Sequence, residues 1–497
     1  MTDAPARNHT TGQALVVGLD LGTTSVKALA LDASARVVSR HEVGYPLGVS
    51  RHTAGDAGEA TQDPAAVVRA AREALARLQA DLPARRVRAV VPSAAMHSLV
   101  LVDRAGTPLA PALTWADTRP AATLPDLRAA LDPQAAYLRT GCPVQTPYHP
   151  ARLWWLARHD PALLGRAALA VSLTDLVLHD LTGAWGTSVG LASTTGLMNL
   201  RAGAWDDDLL AALGVTADLL PPILGAASPV GTVRAGAWRG VPVLAGSSDG
   251  ALANLGSGAG PGETVLTVGT SGAARRLTAR PVLDPLARTW TYRLDADTHL
   301  AGGAINNGGL LVDWVRGQWY TDLAPRDGFR QLLSDAERTP PGADGVTLLP
   351  YLTGERSPSW RADLTATVHG LRLGHTRAHV ARAALEAVAF SLAAVHDLIR
   401  QGDPPAGEGT VSATGGLARA PVWNALLADT LGTPVRSQGA PDASAIGAAL
   451  LGHGPDTLAA VRAAAAGASV IRPDPARTDA LRDARGRWTA LNARLNG

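Results

Sequence analysis

Residues 14–32 read ALVVGLDLGTTSVKALALD. ALVVGLD is apolar and rich in strand formers, LGTTS is turn chemistry, and VKALALD resumes the apolar pattern, so the stretch predicts two strands joined by a tight turn. Gly22 lets the backbone turn and lets a ligand approach it closely. Amides of the turn and the hydroxyls of Thr23, Thr24 and Ser25 can donate to phosphate oxygens. Lys27 adds positive charge, and Asp20 at the strand end can hold a magnesium ion, often through water. Taken alone, the same residues also describe an ordinary hairpin with a polar turn.

The unit returns in the second half. A strand at 264–268, a turn at 269–272 and a strand at 273–277 repeat the hydroxyl-rich glycine hairpin. Two such hairpins predict a duplicated architecture, able to clamp a triphosphate from both sides, with Gly269 and Thr270 as the contacts from the second. The proline turn at 260–262 marks a boundary. The expected organisation is a first domain over 13–260, a second over 261–455 and a helical extension over 456–497. Apolar spacing predicts helices at 63–79, 150–158, 172–181 (starting near Thr174–Asp175), 310–319, 377–400, 421–431 and 443–451, with further strands at 88–92, 241–244 and 411–414. Strands alternating with helices indicate an α/β protein.

Composition narrows the function classes. The chain has 497 residues, 46% hydrophobic and 18% charged, with a net charge of +2. That describes a globular chain, not a disordered one, without the strong field expected for nucleic-acid binding. Cys142 is the single cysteine, which excludes an internal disulfide and a thiolate zinc cluster. The start is polar, and no uninterrupted apolar run reaches the roughly 18 residues of a membrane helix, so a cytoplasmic enzyme with no membrane partner is expected. Lys27 is the only lysine. Either a compact ammonium is required there, or the position simply escaped a general replacement of lysine by arginine.

Other stretches offer chemistry. Asp249 follows a buried strand and sits among Ser247, Ser248 and Gly250, where it can serve as the base beside an attacking hydroxyl or as a helix cap. Gly415-Gly416, between strand and helix, allows backbone to approach a flat ring or ribose, or is a tight turn. Met96-His97 and the run Trp115, Asp117, Arg119 combine a stacking ring with hydrogen-bonding groups, as a polyol pocket requires; core packing is the other reading of Met96 and Trp115.

From about Leu15 to Gly452 the chain resembles the FGGY carbohydrate kinases. The motifs that carry the resemblance occur in the family's order: GLDLGTTSVKAL, AAMHSLVLVD, TWADTR, AGSSDGALANLG, TVGTSG, GGAINNGGLLVDW, LLPYLTGERSPSW and ATGGLARAPVWNALLADTLG. The run LRLGHTRAHVARAALEAVAF looks like the family's C-terminal signature. The resemblance implies an actin-like ATPase fold of two ribonuclease-H-like domains, with ATP and a small sugar or sugar acid in the cleft between them. It implies magnesium as cofactor and domain closure on binding. It assigns Asp249 as catalytic base, Asp20, Thr23 and Lys27 to phosphates and metal, Thr270, Gly309, Asp313 and Gly416 to the nucleotide, and Met96-His97 to the acceptor. Lys27 stands where several relatives carry arginine, and Ala420 where some carry asparagine or serine near the adenine. TWADTR, TGCPVQTPYHPARLWWL, GGAINNGG and TGERSPSW look most like the gluconate kinases of the family; a xylulose or other ketose or polyol kinase is the alternative. A gluconate carboxylate needs a cation or amides, for which Arg119, Arg152 and Arg356 are candidates, and Gln145 and His149 are further candidates for the pocket lining. A non-catalytic nucleotide switch, like actin or the Hsp70 chaperones, is a third reading. The oligomeric state is left open, with a homodimer among the alternatives.

Overall fold

The computed structural model describes residues 14–46, 48–49, 58–82, 87–404, 409–438 and 442–496, so the polar start at 1–12 lies outside the described residues. The opening stretch forms the expected hairpin. Strand β1 (Leu15–Leu21) pairs antiparallel with β2 (Ser25–Leu31), placing Asp20 opposite Lys27. β2 continues into β3 (Val37–Gly44). Helix α1 (Pro64–Asp81) begins where the Asp63 side chain accepts from the Ala65 amide, and it leads to β4 (Val87–Ala94), parallel to β1. With β5 (Pro229–Thr232) and β6 (Pro242–Leu244) the first sheet runs β5-β6-β4-β1-β2-β3. β1 is central and buried on both faces, which is why it reads as a nearly continuous apolar run.

Between β4 and β5 lie α2 (His149–His159) and α3 (Leu173–Thr182). The cap of α3 is Ser172, not the Thr174–Asp175 pair the sequence pointed to. Asp175 instead closes a capping box from the N3 position by accepting from the Ser172 amide.

Helix α4 (Asp249–Gly256) leads to the second sheet: β7 (Thr264–Val268), β8 (Gly272–Thr278), β9 (Trp290–Arg293), β10 (His299–Ile305), β11 (Val411–Gly415), β12 (Val435–Ser437) and β13 (Val470–Ile471), in the order β9-β10-β8-β7-β11-β12-β13. In both sheets the first strand has its hairpin partner antiparallel on one side and a crossover strand parallel on the other. The halves therefore share one plan.

The second sheet is covered by α5 (Gly309–Trp319), α6 (Arg377–Gly402) and α7 (Pro421–Leu431). α6 is the one helix among the described residues long and apolar enough to cross a bilayer, and 83% of that stretch is buried inside the protein. It is the core helix of this half, with Leu385, Val388 and Leu392 fully buried. The C-terminal residues were expected to be helical throughout. They form α8 (Ala443–His453), α9 (Pro455–Ala466) and α10 (Pro475–Asn496), but β13 interrupts them, because the β-branched pair Val470-Ile471 completes the sheet edge beside β12 before Pro473 ends it.

The halves are joined where α8 crosses α4 and packs on β1 and β4. The crossing is close because it is made at glycine: a Cβ on Gly256 would fall on the Ala443 carbonyl, and one on Gly447 on the Leu252 carbonyl. Around it, Val16, Val91, Leu252, Leu255, Leu277, Tyr292 and Ala448 form one core shared by both sheets. The cleft opens beside this joint.

Candidate active site

Both hairpin turns point into the cleft. In the first, the Tyr45 hydroxyl bonds the Gly22 carbonyl, the Gln62 amide bonds that of Thr23, and the Tyr45 amide bonds that of Thr24 at 2.9 Å. In the second, the Gly309 and Leu310 amides, among the unpaired donors at the start of α5, bond the carbonyls of Gly269 and Thr270 at 2.8 and 2.9 Å. The turn is thereby locked to the helix. Gly415 pairs in register with Val268 at φ +89°, where a Cβ would overlap the Val268 carbonyl, and the Gly416 amide donates to that same carbonyl at 3.0 Å. Gly269, Thr270, Gly309, Gly415 and Gly416 thus gather at one end of the second sheet. Asp313 lies one turn further along α5, exposed and paired with Arg316 at 2.8 Å.

A cavity of about 280 Å³ lies between the halves. Thr23, Met96, His97, Trp115 and Asp249 reach it from the first half, and Gly269, Ser271, Arg275, Tyr292 and Arg356 from the second. Thr24 is exposed at the turn outside this lining. Lys27 also lies outside it; its ammonium sits 3.2 Å from the carboxylate of Asp442, which Arg40 engages at 2.8 Å.

Asp249 begins α4, and Ser248, not Asp249, occupies the cap position. Its carboxylate accepts from the Gly250 amide at 2.6 Å. Burial raises its pKa above the usual carboxylate range, while the Arg275 guanidinium and that amide pull it down. Asp20, whose carboxylate accepts from Ser93 at 2.8 Å, is pushed up to about 6 by burial and by the charges of Asp249 and Asp442, with Ser93 and Lys27 opposing.

His97 sits at φ +69°, a conformation uncommon for a non-glycine residue. Arg152, fully buried, holds it there by donating to the His97 and Thr114 carbonyls, so it ties the two acceptor stretches together without reaching the cavity. Burial first, then the charges of Arg152, His149 and Arg356, depress the His97 pKa, so the ring is neutral. Nδ1 lies 3.0 Å from the Thr194 carbonyl and must donate to it, which leaves Nε2 as an acceptor. Tyr148 and Tyr292, joined hydroxyl to hydroxyl at 2.9 Å, stand edge-on to the ring. Asp117 and Arg119 do not join this wall. Asp117 is buried and bonds Arg119 at 2.6 Å, and Arg119 also reaches Glu59 at 3.4 Å, so the pair braces the loop behind Trp115.

Of the three arginines considered from sequence, only Arg356 lines the cavity. Its Nε donates to Asn306 at 2.7 Å and an Nη to the Ile305 carbonyl at 3.1 Å, with the guanidinium 5.3 Å from the Trp115 ring centre. Of the two further lining candidates, His149 is buried with Nε2 3.2 Å from the Ser98 carbonyl, and neither it nor Gln145 reaches the cavity. Sequence reasoning missed Arg275, Tyr148 and Tyr292. The signal for Arg275 was available: Arg275-Arg276 interrupts an otherwise uncharged, buried strand, and alternation sends one arginine to each face. Arg276 pairs with Asp403 at 3.3 Å on the far side, and Arg275 faces the cleft.

A cleft with two phosphate-type turns, a buried carboxylate and a polyol-type pocket is the equipment of phosphoryl transfer to an alcohol. Comparison with known proteins agrees. Gluconokinase of Bacillus subtilis is 32% identical over 451 residues, covering 88% of this chain and 86% of that one. Xylulose kinase of Streptomyces coelicolor is 34% identical over 448 residues, covering 88% and 86%. The crystal structure of a gluconate kinase from Lactobacillus acidophilus superposes with a TM-score of 0.88 at 26% identity, covering 97% of this chain and 98% of that one. Residues 15–256 match the N-terminal domain and residues 264–453 the C-terminal domain of the FGGY family of carbohydrate kinases, and the chain belongs to that family of actin-like, ATP-dependent sugar kinases.

Proposed function

We propose that the protein transfers the γ-phosphoryl group of ATP to the terminal hydroxyl of D-gluconate, giving 6-phosphogluconate, as a cytoplasmic enzyme. The observation that carries the choice of acceptor is Arg356. It lines the cavity from the second half with its guanidinium 5.3 Å from the Trp115 ring centre, while Asp249 lines the same cavity from the first half. The cavity therefore offers a cation from one half and a base from the other, an arrangement suited to a sugar acid with a reacting hydroxyl. The gluconokinases among the relatives support the same acceptor.

In this reading Asp249 accepts the proton of the attacking hydroxyl, and its raised pKa makes it a better base than an exposed aspartate. His97 Nε2 accepts from a sugar hydroxyl, and Met96 and Trp115 pack against the carbon chain. Thr23, Thr24, Lys27, Gly269 and Thr270 hold the phosphates, while Gly309, Asp313, Gly415 and Gly416 receive the nucleoside. Asp20 suits magnesium: its buried carboxylate faces the negative charge of Asp249, which a divalent cation would relieve. The described residues contain no group of three or more ligating side chains, which fits an ion that keeps several waters and otherwise binds phosphate oxygens. When bound, magnesium would offset charge on the phosphates.

A ketose such as xylulose is the second reading, favoured by xylulose kinases of similar identity and by the aromatic walls, which suit neutral sugars equally. A coupled ADP-release screen over gluconate, xylulose, ribulose, glycerol and erythritol separates them. Gluconate is expected to give the highest kcat/KM; signal with a ketose and none with gluconate overturns the assignment.

A further inference from the structure

We infer that Arg275 is a catalytic residue that contacts the transferring phosphoryl group, supplied by the nucleotide-side half to the base on the other half. The inference rests on the reading of Asp249 as the base and does not depend on which sugar is the acceptor.

Arg275 lies on β8, three residues after the second phosphate turn, on the face that looks across the cleft. Its side chain lies against the backbone that follows the base: a Cβ on Gly250 would come within 2.9 Å of its Nε. One Nη donates to Thr267 at 3.3 Å, and Nε, although buried, has no hydrogen-bond partner among the described residues. Thr267 is itself fixed, its hydroxyl 2.8 Å from that of Thr414 on β11. The guanidinium therefore lies between Thr267, on the strand that leads into the phosphate turn, and Gly250, next to the base, with donor capacity unused. Arg356 adds a second cation close enough to repel it; Glu355 is the carboxylate that answers Arg356, and Asp249 the one that answers Arg275.

The reacting oxygen must lie beside Asp249, so the phosphorus it attacks lies there too. In the transfer, the acceptor oxygen forms a bond to the γ-phosphorus, and the bond from that phosphorus to the β,γ-bridging oxygen breaks. ADP leaves with the electron pair, and the hydroxyl proton passes to Asp249. Negative charge is spread over the phosphoryl oxygens during this step, and a fixed guanidinium beside them stabilises it without reorganisation.

The test is steady-state kinetics of Arg275→Gln and Arg275→Lys, with melting temperature and binding of ADP alone and of ADP with aluminium fluoride, a mimic of the moving phosphoryl. We expect kcat of Arg275→Gln to fall about 100- to 1,000-fold, as for loss of one donor to a developing charge, and the KM for gluconate to stay within about threefold. We expect ADP binding to persist, the ADP–aluminium fluoride complex to be lost, and added guanidinium to restore part of the rate. Arg275→Lys keeps the charge without the fork and is expected to fold and to remain impaired; it carries the test if Arg275→Gln does not fold. A kcat within about threefold of wild type in Arg275→Lys together with an intact aluminium fluoride complex overturns the inference, and so does a rise in gluconate KM at unchanged kcat. Failure of the acceptor assignment would show separately in the sugar screen, because the Arg275 effect is read with whichever sugar is turned over.

Discussion

In the first hairpin turn, residues 22–25, the carbonyls are held by groups from several parts of its own half, and the turn is flanked by the charges of Asp20 and Lys27. In the second, residues 269–272, the holding groups are amides at the start of α5, the turn has no charge of its own, and glycines 309, 415 and 416 surround it. In both, the strand that leads into the turn has its hairpin partner antiparallel on one side and a crossover strand parallel on the other. Duplication thus preserved the sheet plan while the chemistry diverged: the first half offers carboxylates and the acceptor wall, and the second offers bare backbone for a nucleotide and the arginines 275 and 356. The base Asp249 comes from the first half and the cation that acts on it, Arg275, from the second. The difference explains why the site lies at the joint, and it can be broken one charge at a time.

The largest effect is expected at the carboxylate. Asp249→Asn preserves shape and removes the base, so kcat should fall by about 10²- to 10⁴-fold, with ATP binding retained by calorimetry. The same residue sets the acid side of the pH profile. Its pKa is raised, and the protonated form cannot accept the hydroxyl proton. Activity should therefore be lost as pH falls through a value above the usual carboxylate pKa of about 4, visible as an acid limb in kcat/KM. Full turnover in Asp249→Asn would remove the first half from the chemistry.

Arg356 tests what the second half contributes to the acceptor. Arg356→Met keeps an unbranched chain over Trp115 and removes the charge. The expected result is a loss in kcat/KM of about 10- to 100-fold for gluconate, the order of one charge-assisted hydrogen-bonded contact of about 1.5–3 kcal/mol. The loss for a neutral ketose should be smaller, so the ratio of the two acceptors moves toward the ketose. An unchanged ratio would show that the carboxylate is bound elsewhere.

Much of this division was legible from sequence, for reasons that differ by residue. Both hairpins were readable because glycine, hydroxyls and flanking β-rich runs are local signals. Asp249 was readable because a carboxylate in a glycine-rich strand-end loop lacks an obvious packing role. Asp117 and Arg119 read as pocket residues because they adjoin Trp115, yet they bond each other and brace the loop from behind. Adjacency in sequence does not say which way a side chain turns in an irregular loop. Arg275 and Tyr292 were missed for the opposite reason: each lies on a strand whose outer face is the cleft, and only the docking of the first half against that face makes it a site. Strand alternation separates Arg275 from Arg276, but it cannot say which face meets the other half.

The smallest expected effect concerns the only lysine. Its ammonium, half-buried, shares Asp442 with Arg40, and Asp442 stands at the start of α8, the helix that joins the halves. An ion pair of this exposure contributes about 0–1 kcal/mol, and Arg40 remains beside Asp442 when Lys27 is removed, so Lys27→Met should leave the melting temperature nearly unchanged. If the first turn holds phosphate by charge while the second holds it by backbone, the KM for ATP should rise about 10-fold in Lys27→Met and stay within about threefold in Lys27→Arg, because arginine supplies the same charge from the same strand position. An unchanged KM for ATP in Lys27→Met would reduce Lys27 to a brace for α8, and the first turn would then, like the second, bind phosphate through amides and hydroxyls alone.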